Sequence, residues 1–217
     1  MAHDPKMASA VDALQVQDLT FGYAERQSKL FDRWSHVFSR GLTWVTGADG
    51  TGKTTLLRLL SGALPGYSGQ LTAMGHDERI SPVDYRQEVF LCGPDRAQVS
   101  YLSPRDCFVV LRHLYPRFDV AALDRHATGF RLHDVWQEPI RLLSGAFQRK
   151  VWLAAALSVG CGAILMDDPM RDLDEEAASY LLQELDESSG DNRQVMVIGS
   201  REAATGLKSR SNVVHLG

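Results

Sequence analysis

The sequence predicts an α/β fold: a largely parallel sheet with an antiparallel β portion and an inserted helical stretch. Three observations lead there. Short apolar runs alternate with segments of helical periodicity. A glycine-rich loop, residues 47–52, joins one apolar run to a helix. A second run, Ala163–Met166, lies between Gly162 and the pair Asp167-Asp168, the pattern of a strand buried on both faces.

Taken in order, Ala13–Tyr23 alternates apolar and polar residues, as a strand with one buried face does. Strands at His36–Phe38 and Leu42–Thr46 flank a turn at Arg40-Gly41. Lys53–Leu60 has helical spacing and stops before Ser61-Gly62. Gly69–Met74 and Glu88–Cys92 read as strands. Residues 95–142 are helical in pattern, with pieces such as Arg105–Tyr115 and Val120–Phe130 separated by Pro116 and Gly129. Ser144 opens a helix running through Val159. Helical Leu173–Leu185 and strands at Gln194–Ile198 and Asn212–Leu216 complete the series. The expected organisation is an α/β core over residues 13–94 and 143–217, a helical subdomain over 95–142, and a disordered start over 1–12.

The 217 residues suffice for one such domain with a real core. A net charge of −4 argues against a partner made of nucleic acid, which calls for a basic face. Cys92, Cys107 and Cys161 lack any CxxC spacing and are expected to be reduced, half-buried apolar residues of a cytosolic protein. His126 and His133 lie two helical turns apart with no third ligand, so they read as a solvated face. The opening residues have no apolar core, unlike a signal peptide. Val151–Leu157, the longest apolar run, is too short to span a bilayer. Work at a membrane would require docking on another chain.

Residues 47–54 read G-A-D-G-T-G-K-T, which fits the phosphate-loop pattern G-x-x-x-x-G-K-[ST]. Glycines let a backbone curl round phosphates with its N–H groups turned inward. The following helix adds the positive end of its dipole. The loop residues expected to hold a nucleoside triphosphate, ATP, are Gly47, Asp49, Gly50, Thr51, Gly52, Lys53, Thr54 and Thr55. Lys53 supplies a cation to the β and γ phosphates, and Thr54 a hydroxyl to Mg²⁺. Such a loop needs a carboxylate for Mg²⁺ at the end of a neighbouring strand, and Asp167 ends the run Ala163–Met166. Asp168 follows it and could orient or deprotonate the attacking water.

Residues 143–150 read L-S-G-A-F-Q-R-K, twenty residues before the Asp-Asp strand end, and Met170–Asp174 reads M-R-D-L-D. Between a phosphate loop and Asp-Asp-Pro, these segments resemble the LSGGQ signature and the D-loop of ABC ATPases. The resemblance covers roughly residues 13–216 and implies the ATP-binding subunit of an ABC transporter. Tyr23 stands where that family places an aromatic against adenine. Tyr115–Asp119 is similar to the export-type branch. The resemblance implies a head-to-tail pair of cassettes, from the same or different chains. ATP on one phosphate loop would be capped by the partner's signature, where Ser144 and the Gly145 N–H meet the γ-phosphate. It further implies a separate transmembrane permease subunit, and a cytoplasmic chain peripheral to the inner face of the membrane.

Several positions depart from the family pattern. The catalytic glutamate is Asp168, shorter in reach by roughly 1.5 Å. The switch histidine falls on Ser200, which cannot carry its charge. The glutamine that touches Mg²⁺ or its water falls on Asp95, with Gln98 three residues on. Ala146 replaces the second signature glycine and Phe147 the signature glutamine. Residues for binding are intact and those for hydrolysis are altered, so slow turnover is expected. The alternative is a hydrolysis-poor switch, or the degenerate half of a heterodimer. Relatives acting on DNA carry coiled coils between loop and signature, and those on ribosomes two cassettes, neither of which this chain has. A P-loop kinase would leave LSGA and MRDLD unexplained.

Overall fold

The computed structural model describes residues 13–25, 28–93, 101–190, 193–205 and 207–217. The expected disordered start, and Asp95 with Gln98, lie outside the described residues.

Two sheets form the frame. The first is antiparallel, built from β1 (Leu14–Phe21), β2 (Phe31–Phe38), β4 (Ser68–Ala73) and β5 (His76–Asp77), in the order β2-β1-β4-β5. The second is parallel and combines β3 (Gly41–Thr46), β6 (Val89–Cys92), β7 (Ala163–Asp167), β8 (Val195–Ser200) and β9 (Ser211–His215). Its order is β6-β7-β8-β3-β9. The helices are α1 (Lys53–Leu60), α2 (Pro82–Glu88), α3 (Pro104–Leu114), α4 (Val120–Gly129), α5 (Gly145–Ser158) and α6 (Glu175–Gly190).

Period-two alternation gives the parallel strands β3, β6, β7 and β8 two apolar faces, whereas the edge strand β9 is largely exposed. Val45, Ala163, Leu165, Val195 and Val197 pack with α1 and the antiparallel sheet. Their neighbours Leu42, Trp44, Ile164, Met166, Met196 and Ile198 pack with α3, α4, α5 and α6. A sheet covered on both sides explains why these strands read as continuous apolar runs.

The structure differs from the sequence reading in a few places. β2 begins at Phe31, five residues before His36, because its middle is an edge stripe of half-buried Trp34 and His36 stacked at 5.6 Å between exposed neighbours. The alternation of β1 is broken by a register shift between Gln17 and Thr20 against β4, with Asp18 at φ 50°. Residues 82–88, where the sequence pattern predicts no element, form α2; Pro82 enters its first turn and buried Tyr85 donates to the Leu60 carbonyl at 2.6 Å. All three cysteines are buried thiols outside any disulfide, rather than half-buried. His126 is buried too: its Nδ1 lies 2.8 Å from the Tyr180 hydroxyl, so the solvated-face reading fails there. Among the described residues, no helix is long and apolar enough to cross a membrane.

Candidate nucleotide site

The C-terminal ends of β3, β7 and β8 open on one cleft of about 560 Å³. Ligands of parallel α/β sheets collect at that edge. Tyr23, Asp49, Gly50, Gly52, Lys53, Thr54, Thr55, Asp167, Asp168 and Ser200, all expected from sequence, line it. Gly47 and Thr51 belong to the same loop but do not line the cleft. A Cβ on Gly47 would come within 2.3 Å of the Leu216 carbonyl oxygen, so only glycine fits there. Thr51 donates its hydroxyl to Ala48 O at 2.9 Å and closes the loop's own turn.

Gly52, at φ 103°, turns the loop into α1 in a left-handed conformation that L-residues avoid. The Lys53 ammonium reaches back across the loop to the carbonyls of Gly47 at 2.6 Å and Ala48 at 2.8 Å. The Thr54 hydroxyl donates to Asp167 Oδ2 at 2.8 Å, joining residues 113 positions apart. Burial raises the Asp167 carboxyl above its ordinary value, the Thr54 bond lowers it, and the neighbouring Asp168 charge raises it again. A hydroxyl and a carboxylate in contact are hard oxygen donors, the set that suits Mg²⁺, so these two residues fit the ion the motif implies.

That contact depends on a residue absent from the sequence reading. The strand ending in Asp167 is not adjacent to β3; β8 lies between them, with Gly199 opposite Asp167. A Cβ at Gly199 would meet Leu57 Cδ1 at 3.0 Å, Asp167 Oδ1 at 3.5 Å and Lys53 Cβ at 3.6 Å. The bare backbone of Gly199 therefore lets α1 settle on the sheet and Thr54 reach across it. Three other residues line the cleft: Leu30 and Arg201 carry no motif that would mark them in the sequence, and Arg171 lies within the M-R-D-L-D segment without having been expected here. Leu30 packs on Gly52, Arg171 follows Asp168 by three residues, and Arg201 pairs with Asp49 at 2.6 Å.

Asp168 sits at φ 47° and donates its N–H to the Gly199 carbonyl at 2.8 Å. The Arg149 guanidinium donates to the Asp168 carbonyl at 2.8 Å, so α5 helps to fix the strand end. Ser200 turns its hydroxyl away to the Glu202 carbonyl. Tyr23 packs edge-on against Phe21 at 5.0 Å and shares a 3.0 Å hydrogen bond with Thr55.

Ser144 and Gly145 are not part of this cleft. Ser144 caps α5, accepting from the Phe147 N–H at 3.3 Å. Gly145 is exposed in the first turn, and a Cβ added there would have nothing within 4 Å. Ala146 is helical and has no positive φ, so its side chain is tolerated. Lys150 bonds Asp174 at 2.5 Å, and that bond holds the carboxyl below its ordinary range. Asp174 in turn accepts from Ala177 N at 2.9 Å near the start of α6.

Residues 35–171, more than half of the chain, match the ABC transporter family. The chain belongs to the ABC transporter family. Among its ABC relatives is the manganese transport system ATP-binding protein MntB of Bacillus subtilis, 32% identical, covering 80% of this chain and 72% of MntB. Daunorubicin resistance ATP-binding protein DrrA3 of Streptomyces coeruleorubidus is 30% identical over 80% of this chain. The chain spans 56% of DrrA3's length. The ATP-binding subunit of an ABC transporter shares the fold with a TM-score of 0.82 at 20% identity, covering 94% of this chain and 85% of that one. A dimeric bacterial ABC transporter cassette superposes with a TM-score of 0.74 at 16% identity, covering 87% of this chain and 88% of its own.

Proposed function

We infer that this ABC chain is the ATP-binding and slowly ATP-hydrolysing subunit of a transporter. The observation that carries this reading is the Thr54–Asp167 hydrogen bond at the mouth of the glycine loop, beside the Lys53 ammonium. In that reading Lys53 turns from its loop carbonyls to the β and γ phosphates, and backbone N–H groups of residues 47–55 take the remaining phosphate oxygens. Thr54 and Asp167 would hold Mg²⁺, which would neutralise phosphate charge, and Asp95 is proposed to join them. Tyr23 and Leu30 form the wall against the base. Asp168 receives the proton of the attacking water, over a reach shorter than glutamate gives.

The exposed Gly145 and the capped start of α5 suit a partner's nucleotide rather than the chain's own, because a helix N-terminus attracts phosphate. ATP would therefore join two cassettes, and hydrolysis would part them. Residues 95–142 are proposed as the subdomain that, with the core, grips a membrane subunit. Tyr115–Asp119 favours export. The site of action is then the cytoplasmic face of a membrane, reached through that subunit.

Capture of the tagged chain from its native cells in mild detergent, followed by mass spectrometry, tests the transporter reading. Recovery of a polytopic membrane protein is expected, and a second cassette with glutamate at the position matching Asp168 would account for the altered positions. Recovery of soluble partners or ribosomes alone would overturn it.

A further inference from the structure

The altered position at the end of β8 leaves a question of charge. Ser200 replaces a residue that could be cationic, and its hydroxyl is spent on the Glu202 carbonyl. The next side chain, Arg201, lines the same cleft as Lys53, Thr54, Asp167 and Asp168. Its Nη2 lies 2.6 Å from Asp49 Oδ2 on the phosphate loop, and the two side chains are 71% and 80% exposed. β8 reaches the loop directly, since a Cβ at Gly199 would stand 3.6 Å from the Lys53 Cβ.

We propose that Arg201 is a γ-phosphate ligand of this chain's own nucleotide, held ready on Asp49 and transferred to the phosphate when a triphosphate enters. The inference rests on the reading of the cleft as an ATP site. An exposed ion pair is weak, because water screens both charges and two long side chains must be held still. A phosphate dianion offers the guanidinium two oxygens in its own plane, a stronger partner than one oxygen of an exposed carboxylate. Releasing Asp49 has a second effect: its charge no longer has the counterion that offsets it beside the phosphates. Transfer is therefore favoured only where the incoming phosphate lies within reach of β8, which a diphosphate lacking the γ group does not provide. The cleft gains a means of telling ATP from ADP at a position where serine alone gives none.

The test is equilibrium binding of Mg-ATP and Mg-ADP to the purified full chain, by calorimetry, for wild type, Arg201→Ala, Arg201→Lys and Asp49→Asn. Arg201→Ala should weaken ATP about 10-fold or more and leave ADP within about twofold, as expected for loss of a charge-assisted contact. Arg201→Lys should recover part of the ATP affinity, because charge remains and the fork is lost. Asp49→Asn should strengthen ATP relative to ADP, since it removes the competing partner. Equal losses for ATP and ADP in Arg201→Ala, reproduced by Asp49→Asn, would make the pair a brace for the loop and overturn the inference. Unchanged ATP affinity in Arg201→Ala would also overturn it. Binding of neither nucleotide to the wild type would instead reject the ATP site itself, and this inference with it.

Discussion

At the residue scale, Asp168 separates two effects that sequence alone confounds. Its carboxylate is shorter than the glutamate usual in ABC relatives, and a misplacement of about 1 Å can cost on the order of 10²-fold in rate. Its backbone is also left-handed, at φ 47°, where aspartate is tolerated better than glutamate. Asp168→Glu should therefore raise ATP turnover in an active assembly while lowering the thermal midpoint slightly. Steady-state hydrolysis and a melting curve measure both. No gain in turnover would mean that reach is not the bottleneck. The phosphate-loop glycines, Lys53, Thr54 and Asp167 were legible in the sequence because their chemistry demands fixed spacing within one loop and one strand end. Arg201 and Leu30 were not, since their roles depend on which strand lies beside which. Asp95 falls outside the described residues, and its proposed contact with Mg²⁺ rests on the motif alone.

At the element scale, the site is made by the seating of α1 on β8. Gly199→Val puts branched carbons where Leu57 and Lys53 already pack, at 3.0 and 3.6 Å from the first added carbon. Overpacking of this kind costs about 1–3 kcal/mol. ATP affinity should fall by at least 10-fold as Thr54 is pushed from Asp167, with the fold retained by circular dichroism. Normal affinity would show that α1 is not held by this contact. A second element-scale effect involves α4. Burial, aided by the charge of Arg125, lowers the pKa of His126 from 6.5 to about 4. A histidine kept neutral in the fold gains a proton on unfolding below pH 6.5, so its stabilising share is complete above that pH. It is lost as the pH falls towards about 4. The thermal midpoint should drop over that window, and His126→Leu should flatten the drop; an unchanged slope would refute the assignment. The long apolar strands and α5 were readable from periodicity. The helix α2 was hidden because only Tyr85 of its seven residues is buried, leaving no apolar stripe to read.

At the scale of the whole molecule, the two sheets and the six α-helices of the described residues place the phosphate loop and the strand ending in Asp167 at one cleft, while the signature lies outside it. That separation is what a cassette completed by a second cassette requires, and no single segment of sequence displays it. The alternation of apolar runs and helices was enough to expect the parallel sheet, but its order, with β8 between β3 and β7, is written in no single run of the sequence. The proposed role of this cleft is to hold Mg-ATP through Lys53, Thr54 and Asp167. The measurement that reaches it most directly is a calorimetric titration of ATP with and without Mg²⁺ into the wild type and Lys53→Ala. Saturable binding is expected that Mg²⁺ strengthens in the wild type and that falls about 10- to 100-fold in Lys53→Ala, the effect of losing a charge-assisted hydrogen bond. Binding of equal strength in both proteins, or none in the wild type, would contradict it.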